Sequence, residues 1–314
     1  MGGKSEQVPV WLHSLAVLTA VATFFLIVAG ALVVGNEAGL SVPDWPLSYG
    51  MWMPPMEGGI FYEHGHRMIA TFVGFLMTLL ALALWWKEPR RWVRRLALVA
   101  WLAVVAQGVL GGITVLYLLP KPISVSHACL AQTFFCLTLT LALLTSRFWN
   151  TPAMPLFDDT TPQFRHLCAA ATAAVFLQLV LGATLRHKAI GLTPHLIGAA
   201  LVSFFVGWLV VRARAKWAGG LRRLVLAAGF LLIVQVGLGI GSYFIREGAP
   251  HTHGATHQVV QPQLPVVLLT TAHVAAGALL LGLCWVLTML ASRPVLGAVG
   301  KTASLARGLE KTWA

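Results

Sequence analysis

Eight long apolar runs dominate this sequence, and each is long enough to cross a lipid bilayer as a helix. A hydrocarbon core of about 30 Å takes about 20 helical residues, and a helix satisfies its main-chain polar groups internally, as lipid requires. Only 10% of the 314 residues are charged, against 58% hydrophobic. The sequence therefore predicts an all-α integral membrane protein with eight transmembrane helices, near residues 11–34, 61–86, 95–118, 123–145, 164–185, 191–212, 221–244 and 264–291.

The formal net charge of +12 indicates how these helices are oriented. If the N-terminus lies in the cytoplasm, all but five of the 22 lysines and arginines fall on inner segments. The five on the outer side are Arg67, Lys121, Arg186, Lys188 and Arg246. Because positive residues favour the cytoplasmic side, we expect a multi-pass cell-membrane protein with both termini in the cytoplasm. The charge does not indicate a nucleic-acid partner.

A short pattern, Gln-x-x-Leu-Gly, recurs in the third, fifth and seventh runs. Its copies are Gln107–Gly111, Gln178–Gly182 and Gln235–Gly239, and the first run has a degenerate copy, Ala29–Val33. Internal repeats determine the architecture of a chain. This one predicts two similar four-helix halves, residues 1–145 and 164–291, with a cytoplasmic linker at 146–163 and a cytoplasmic tail at 292–314.

Each even-numbered run carries a histidine in its first third, near the outer face. The four are His66, His127, His195 and His273, and a small residue follows each of them four positions on, at Ala70, Ala131, Ala199 and Gly277. A single histidine in a membrane helix can merely hydrogen-bond a neighbouring helix. Four at one depth favour heme, whose iron takes axial imidazoles. Ligands on facing helices of a four-helix bundle can hold such a cofactor, so we predict bis-histidine ligation in each half.

The polar stretch Tyr62–Arg67 opens the second run with two histidines. His64 and His66 are about 200° apart around a helix, so they cannot face the same core. The repeat selects His66 as the ligand and leaves His64 for the interface or a secondary contact. Glu63 shares the face of His66 and either complements the helix dipole or handles a proton or substrate. Arg67 either pairs with a heme propionate or extends to the interface.

Two further sets of polar residues allow two interpretations each. Gln107, Gln178 and Gln235 either contact heme edges or bond one helix to the next, and we favour the bonds between helices. The fourth outer loop contains three histidines, which have metal-binding composition but no clear fourth ligand, so we interpret them as loop residues: His251, His253 and His257.

The motifs resemble those of the heme A synthases of bacteria and mitochondria. The resemblance rests on Gly39-Leu-Ser-Val-Pro-Asp-Trp-Pro46 in the first outer loop, on Glu63-His-Gly-His-Arg67, and on the later single histidines, and it covers nearly all of residues 11–291. It implies two pseudo-symmetric four-helix bundles. It also implies an oxidoreductase that converts heme O to heme A, oxidising a ring methyl group to a formyl group by two successive hydroxylations, with loss of water from the geminal diol.

The resemblance also assigns roles to the candidate residues. It implies a heme b cofactor in the C-terminal half, at His195 and His273, and the substrate heme O in the N-terminal half. There His66 and His127 would be the ligands and Glu63 the essential acid. A heme O synthase and the terminal oxidase are implied as partners. Some family members have a cysteine pair in the first outer loop, but residues 36–60 here contain no cysteine, so a mechanism that needs these thiols cannot operate in this chain.

A diheme b-type membrane cytochrome, which transfers electrons from quinol without substrate chemistry, is the alternative. It also needs four membrane histidines in two pairs. Such proteins usually place their two hemes at opposite depths, so that electrons cross the bilayer. The four histidines here lie toward one face, which favours the synthase.

Overall fold

The computed structural model describes residues 9–151, 160–216, 219–247 and 263–293, and these are folded into helices joined by loops and turns. Eight of the helices are long and apolar enough to cross a membrane, which confirms the predicted fold class. The helices are α1 (Val10–Gly35), α2 (Gly58–Lys87), α3 (Arg91–Leu116), α4 (Lys121–Thr145), the short α5 (Arg147–Asn150), α6 (Phe164–Arg186), α7 (Leu192–Lys216), α8 (Gly220–Glu247) and α9 (Leu264–Ala291).

Some predicted segments lie outside the described residues. They include the loop histidines His251, His253 and His257, part of the linker at 152–159, and the tail from residue 294 onward. The first outer loop, which joins α1 to α2, is described throughout.

The long helices pack in two sets of four. In the first set α1, α2, α3 and α4 each contact the next, and α4 returns to α1; in the second set α6, α7, α8 and α9 do the same. The sets meet through contacts of α9 with α1 and α4, and of α4 with α6. Each of these contacts has a counterpart when α1–α4 are exchanged for α6–α9. This is the pattern of contacts expected of two pseudo-symmetric bundles, and the predicted division of the chain into halves stays a prediction.

Each set has its own apolar core, and both cores lie toward the same end. We call this the inner end, where α1 begins and α2 ends; the outer end is where α1 ends and α2 begins. The first core includes Leu12, Leu80, Leu84, Val93 and Leu144, and the second includes Leu167, Leu209, Val225, Cys284 and Leu287. Because burial of apolar side chains is concentrated at the inner end, the outer end is left for the polar residues of the candidate site.

A turn at the inner end fixes α2 and α3 to α4. Glu88, which is 2% exposed, accepts hydrogen bonds from Nε and Nη2 of Arg90 at 2.6 and 2.9 Å. Nη2 of Arg90 also donates to the main-chain oxygen of Leu144 at 2.9 Å. A buried charge needs such a partner, and this pair closes the inner end of the N-terminal set.

Candidate heme site

Each of the four predicted histidines lies against a glycine of the preceding long helix. A methyl group added to that glycine would lie only 3.0–3.3 Å from Cε1 of the ring. The pairs are Gly30 with His66, Gly111 with His127, Gly182 with His195, and Gly239 with His273. The repeat in the sequence therefore corresponds to a repeated contact between a histidine ring and a glycine. Each helical hairpin has one such contact, at the outer end of the molecule.

The predicted register of the repeat in the first helix is wrong by three residues. The predicted copy Ala29–Val33 has Val33 at the position of the final glycine of the pattern. The residue that faces the ring of His66 is instead Gly30. The physical reason is that the ring needs a position without a side chain, which Val33 cannot provide. In the corrected register Leu26 occupies the position that a glutamine has in the other three copies.

The repeat glutamines bond one helix to the next. Nε2 of Gln107 donates to the main-chain oxygen of His127 at 2.9 Å, and Nε2 of Gln178 donates to that of His195 at 3.0 Å. These bonds confirm the helix-to-helix interpretation. The side-chain oxygens of Gln107, Gln178 and Gln235 are buried and have no hydrogen-bond partner among the described residues.

The C-terminal histidines, His195 and His273, face each other with ring centroids 6.4 Å apart and ring planes at 67°. Both rings therefore lie within reach of a single metal ion, and His195 and His273 would be the residues that hold a heme iron in this half.

The surroundings of these two rings favour neutral imidazole, the form that binds iron. Nδ1 of His273 lies 3.2 Å from the main-chain oxygen of Gln235, which can only accept, so Nδ1 carries the proton and Nε2 retains a lone pair. The amide nitrogen of Gln235 makes a long contact of 3.4 Å with this Nε2, which an iron–nitrogen bond would replace.

The ring of His195 is held by Gln178. The amide nitrogen of Gln178 is 3.1 Å from Nδ1 and 3.2 Å from Nε2 of the ring. An atom almost equally distant from both nitrogens cannot lie in the ring plane without overlapping the ring atoms, so the amide lies over the ring face. The lone pair in the ring plane is therefore left for a metal.

The N-terminal histidines, His66 and His127, are less constrained. Their rings are close enough to interact electrostatically. Nδ1 of both rings is buried and has no hydrogen-bond partner among the described residues. An unsatisfied buried polar atom costs about 1–3 kcal/mol, so it needs an explanation. A bound ligand that completes the surroundings of the rings would supply one, and the donor set of both halves fits heme.

Glu63 and His64, beside His66 on α2, bond to the first outer loop. Glu63 is 4% exposed, and its Oε2 accepts from the main-chain nitrogen of Val42 at 2.8 Å. Nδ1 of His64 lies 2.8 Å from Oγ of the fully buried Ser48. Nδ1 of His64 is therefore bonded to the loop, which agrees with the choice of His66 as the candidate ligand.

Arg67 forms an ion pair with Glu63, with 2.7 Å between Nη2 and Oε1. Its Nη1 donates to the main-chain oxygens of Asp44 and Leu47 at 2.8 and 2.9 Å. These bonds engage the two Nη groups of Arg67, and the predicted propionate contact stays a prediction. Neither interpretation from the sequence anticipated this loop contact, because irregular loops have no periodicity from which a partner can be inferred.

The loop also fixes its own shape through Asp44. Its carboxylate accepts from the main-chain nitrogens of Gly50 and Tyr49 at 2.8 and 2.6 Å. The hydrogen bond from Gly50, with smaller contributions from Tyr49 and the nearby Arg67 charge, holds the pKa of Asp44 below its ordinary value. The carboxylate therefore stays ionised and keeps this turn closed at neutral pH.

Comparison with known proteins links the site to one family. The cytochrome oxidase assembly protein family COX15-CtaA matches residues 56–194, a segment that includes Glu63, His66, Arg67 and His127 and ends immediately before His195.

Three bacterial proteins named heme A synthase are similar to parts of this chain. The protein of Dinoroseobacter shibae is 34% identical over 144 residues, 41% of this chain and 35% of the relative. That of Bacillus pumilus is 26% identical over 216 residues, 65% of this chain and 69% of the relative. That of Roseobacter denitrificans is 34% identical over 137 residues, 39% of this chain and 35% of the relative.

The matched segment spans about a third of the length of the Dinoroseobacter and Roseobacter relatives, and more than two thirds of the Bacillus relative. The matched family segment contains both histidines of the N-terminal pair. The predicted resemblance of this chain to the heme A synthase family is therefore confirmed.

Proposed function

We propose that this chain is a membrane oxidoreductase of heme A biosynthesis that binds heme O as its substrate and heme b as its cofactor. The observation that carries the proposal is the fourfold contact between a histidine ring and a glycine. It puts two pairs of imidazoles at one end of two similar bundles. The names of the relatives support the assignment to heme A synthesis.

We assign the resident heme b to the C-terminal pair, His195 and His273. Their rings are contacted by the side chains of Gln178 and Gln235 and lie within reach of a single iron. Ligands that are held in place before binding lose little freedom when the metal binds, which suits a permanent cofactor. Heme b, when bound there, supplies the redox chemistry.

We assign heme O to the N-terminal pair, His66 and His127. In this half Leu26 stands in place of the glutamine that would contact the ring of His66, and the Nδ1 atoms of both rings have no hydrogen-bond partner within the described part of the chain. A less constrained pair suits a substrate that must also leave as product. The farnesyl tail of heme O is very apolar, so a site within membrane helices can receive the substrate without exposing the tail to water.

The proposed reaction is a four-electron oxidation of a ring methyl group of heme O to a formyl group: two successive hydroxylations, whose oxygen atoms and electron acceptor come from outside the chain, give a geminal diol that loses water. His66 and His127 orient the substrate. Glu63, one turn before His66, is paired with Arg67 and stabilises positive charge or accepts a proton at a carboxylate oxygen. The positive-inside pattern supports a site near the outer face of the cell membrane, with both termini in the cytoplasm. A heme O synthase and a terminal oxidase are its proposed partners.

Single substitutions of the four histidines by alanine test the division between the halves. We expect His195→Ala and His273→Ala to lose bound heme b and, with it, heme A production. We expect His66→Ala and His127→Ala to retain heme b but to produce no heme A. Heme b is measured in the purified proteins, and heme A in membranes of cells that make heme O. Equal loss of heme b from all four variants would contradict the assignment.

Substitution of Glu63 by glutamine tests the carboxylate. We expect heme A production to fall by about 100-fold or more, the usual contribution of a group that handles a proton, and partly oxidised heme to accumulate. Glu57→Gln is the matched control, because Glu57 is exposed at the start of α2. A Glu63→Gln protein with wild-type yields of heme A, measured by mass of the extracted hemes, would refute the role of Glu63.

Two glycines of α8 offer a matched pair for testing the ring contact. A methyl group on Gly239 would lie 3.0 Å from Cε1 of His273, whereas one on Gly237 would meet nothing within 4 Å. We therefore expect Gly239→Ala to lower the heme b content of the purified protein and to shift its absorption spectrum, and Gly237→Ala to leave both unchanged. Equal heme b content in the two variants would show that the close approach does not matter for heme binding.

A further inference from the structure

The charged group of Arg67 is enclosed beneath the first outer loop, which comprises residues 36–57. The Arg67 side chain is 16% exposed and that of its partner Glu63 is 5% exposed. Charges are seldom buried in a membrane protein without a specific purpose. The partners of Arg67 indicate what this purpose is.

Arg67 binds the loop at several points rather than at one. Besides the main-chain oxygens of Asp44 and Leu47, its Nη atoms contact the main-chain oxygen of Val42 and Oγ of Ser48, both at 3.4 Å. A planar guanidinium with several fixed N–H groups can bind oxygens from separate turns at once, which a lysine cannot do in the same way. One side chain therefore joins the loop segment from Val42 to Ser48 into a single unit.

The residues next to Arg67 on α2 reinforce these bonds. Glu63 accepts from the main-chain nitrogen of Val42, and His64 is bonded to Ser48. Val42 and Ser48, the loop residues that form these two bonds, are both 0% exposed. Three of the charged or titratable side chains in the Tyr62–Arg67 stretch thus hold the loop, while the ring of His66 faces Gly30.

The loop is held over the N-terminal pair of helical hairpins. The indole of Trp45 packs on Gly112 so closely that an added methyl group would lie 2.6–2.9 Å from three of its ring atoms. Gly112 directly follows Gly111, the residue that faces His127. At the other side of the loop Ser41 packs on Gly59 at the start of α2. The loop therefore packs against the outer end of α3 and the start of α2, and its contact on α3 is one residue from the glycine that faces His127.

We propose that Arg67 is a positioning residue that fastens the first outer loop over the N-terminal heme site, with Trp45 as the residue that covers the site next to His127. The identity of the covered ligand as heme O rests on the proposed function. The closed loop keeps water from the substrate, which strengthens the electrostatic interactions of Glu63 inside the site. In this arrangement Arg67 acts through the loop, and the proposal does not need it to bind a propionate.

Hydrogen–deuterium exchange of the purified protein, resolved by mass spectrometry to peptides of residues 41–51, tests the proposal without any heme O. We expect Arg67→Gln to speed exchange in this segment at least tenfold. Arg67→Lys, which retains the charge beside Glu63 but not the planar group, should give a smaller increase. Arg91→Gln is the control, since Arg91 is exposed at the inner end. In this variant residues 41–51 should exchange at the wild-type rate. Unchanged exchange in both Arg67 variants would overturn the proposal.

Two further readouts separate this proposal from the proposed function. Heme b content, which belongs to the C-terminal half, should be retained in Arg67→Lys, showing that the protein is folded, while heme A production falls. Faster exchange with undiminished heme A production would overturn the positioning role. A failure of the proposed function, seen as the absence of any heme other than heme b, would leave the exchange result unaffected.

Discussion

An imidazole ring can approach a helix as closely as the four histidines do here only where that helix has no side chain. This steric constraint accounts for the glycine in each copy of the repeat, because even a methyl group would press on the ring. It also accounts for the position of the two apolar cores, which fill the inner end and leave the outer end to the rings. The candidate heme site thus lies at the outer end, where apolar side chains do not fill the space between the helices.

Both halves place a pair of histidine rings against glycines, but the rings of the two halves are held by different contacts. In the C-terminal half the glutamines contact the rings themselves, and the rings lie within reach of a single iron. In the N-terminal half a leucine replaces one glutamine, and a charged, buried network connects α2 to the outer loop instead. Removing one partner of a buried ion pair costs about 3–5 kcal/mol, because the other charge is left uncompensated, so Glu63 and Arg67 depend on each other. A difference of this kind is expected if one heme is permanent and the other is exchanged.

The helices and the four histidines were predictable because both follow from periodic signals. Hydrophobic length defines a membrane helix regardless of its neighbours, and each Gln-x-x-Leu-Gly copy is followed by a histidine near the start of the next long run, at His127, His195 and His273. The register in α1 was not predictable, because Ala29–Val33 contains two of the pattern's residue types in misleading positions and only the ring contact identifies Gly30. The loop partners of Arg67 were not predictable either, since all but the Ser48 hydroxyl are main-chain oxygens, which any residue type could supply.

Identification of the pigments in the purified protein tests the central claim most directly. The hemes are extracted from protein produced in cells that make heme O, separated, and identified by mass. The account predicts heme b together with heme O or heme A, because the C-terminal pair retains a cofactor and the N-terminal pair a substrate or product. Two heme b groups per chain and no other heme would contradict the account and would indicate the diheme cytochrome instead.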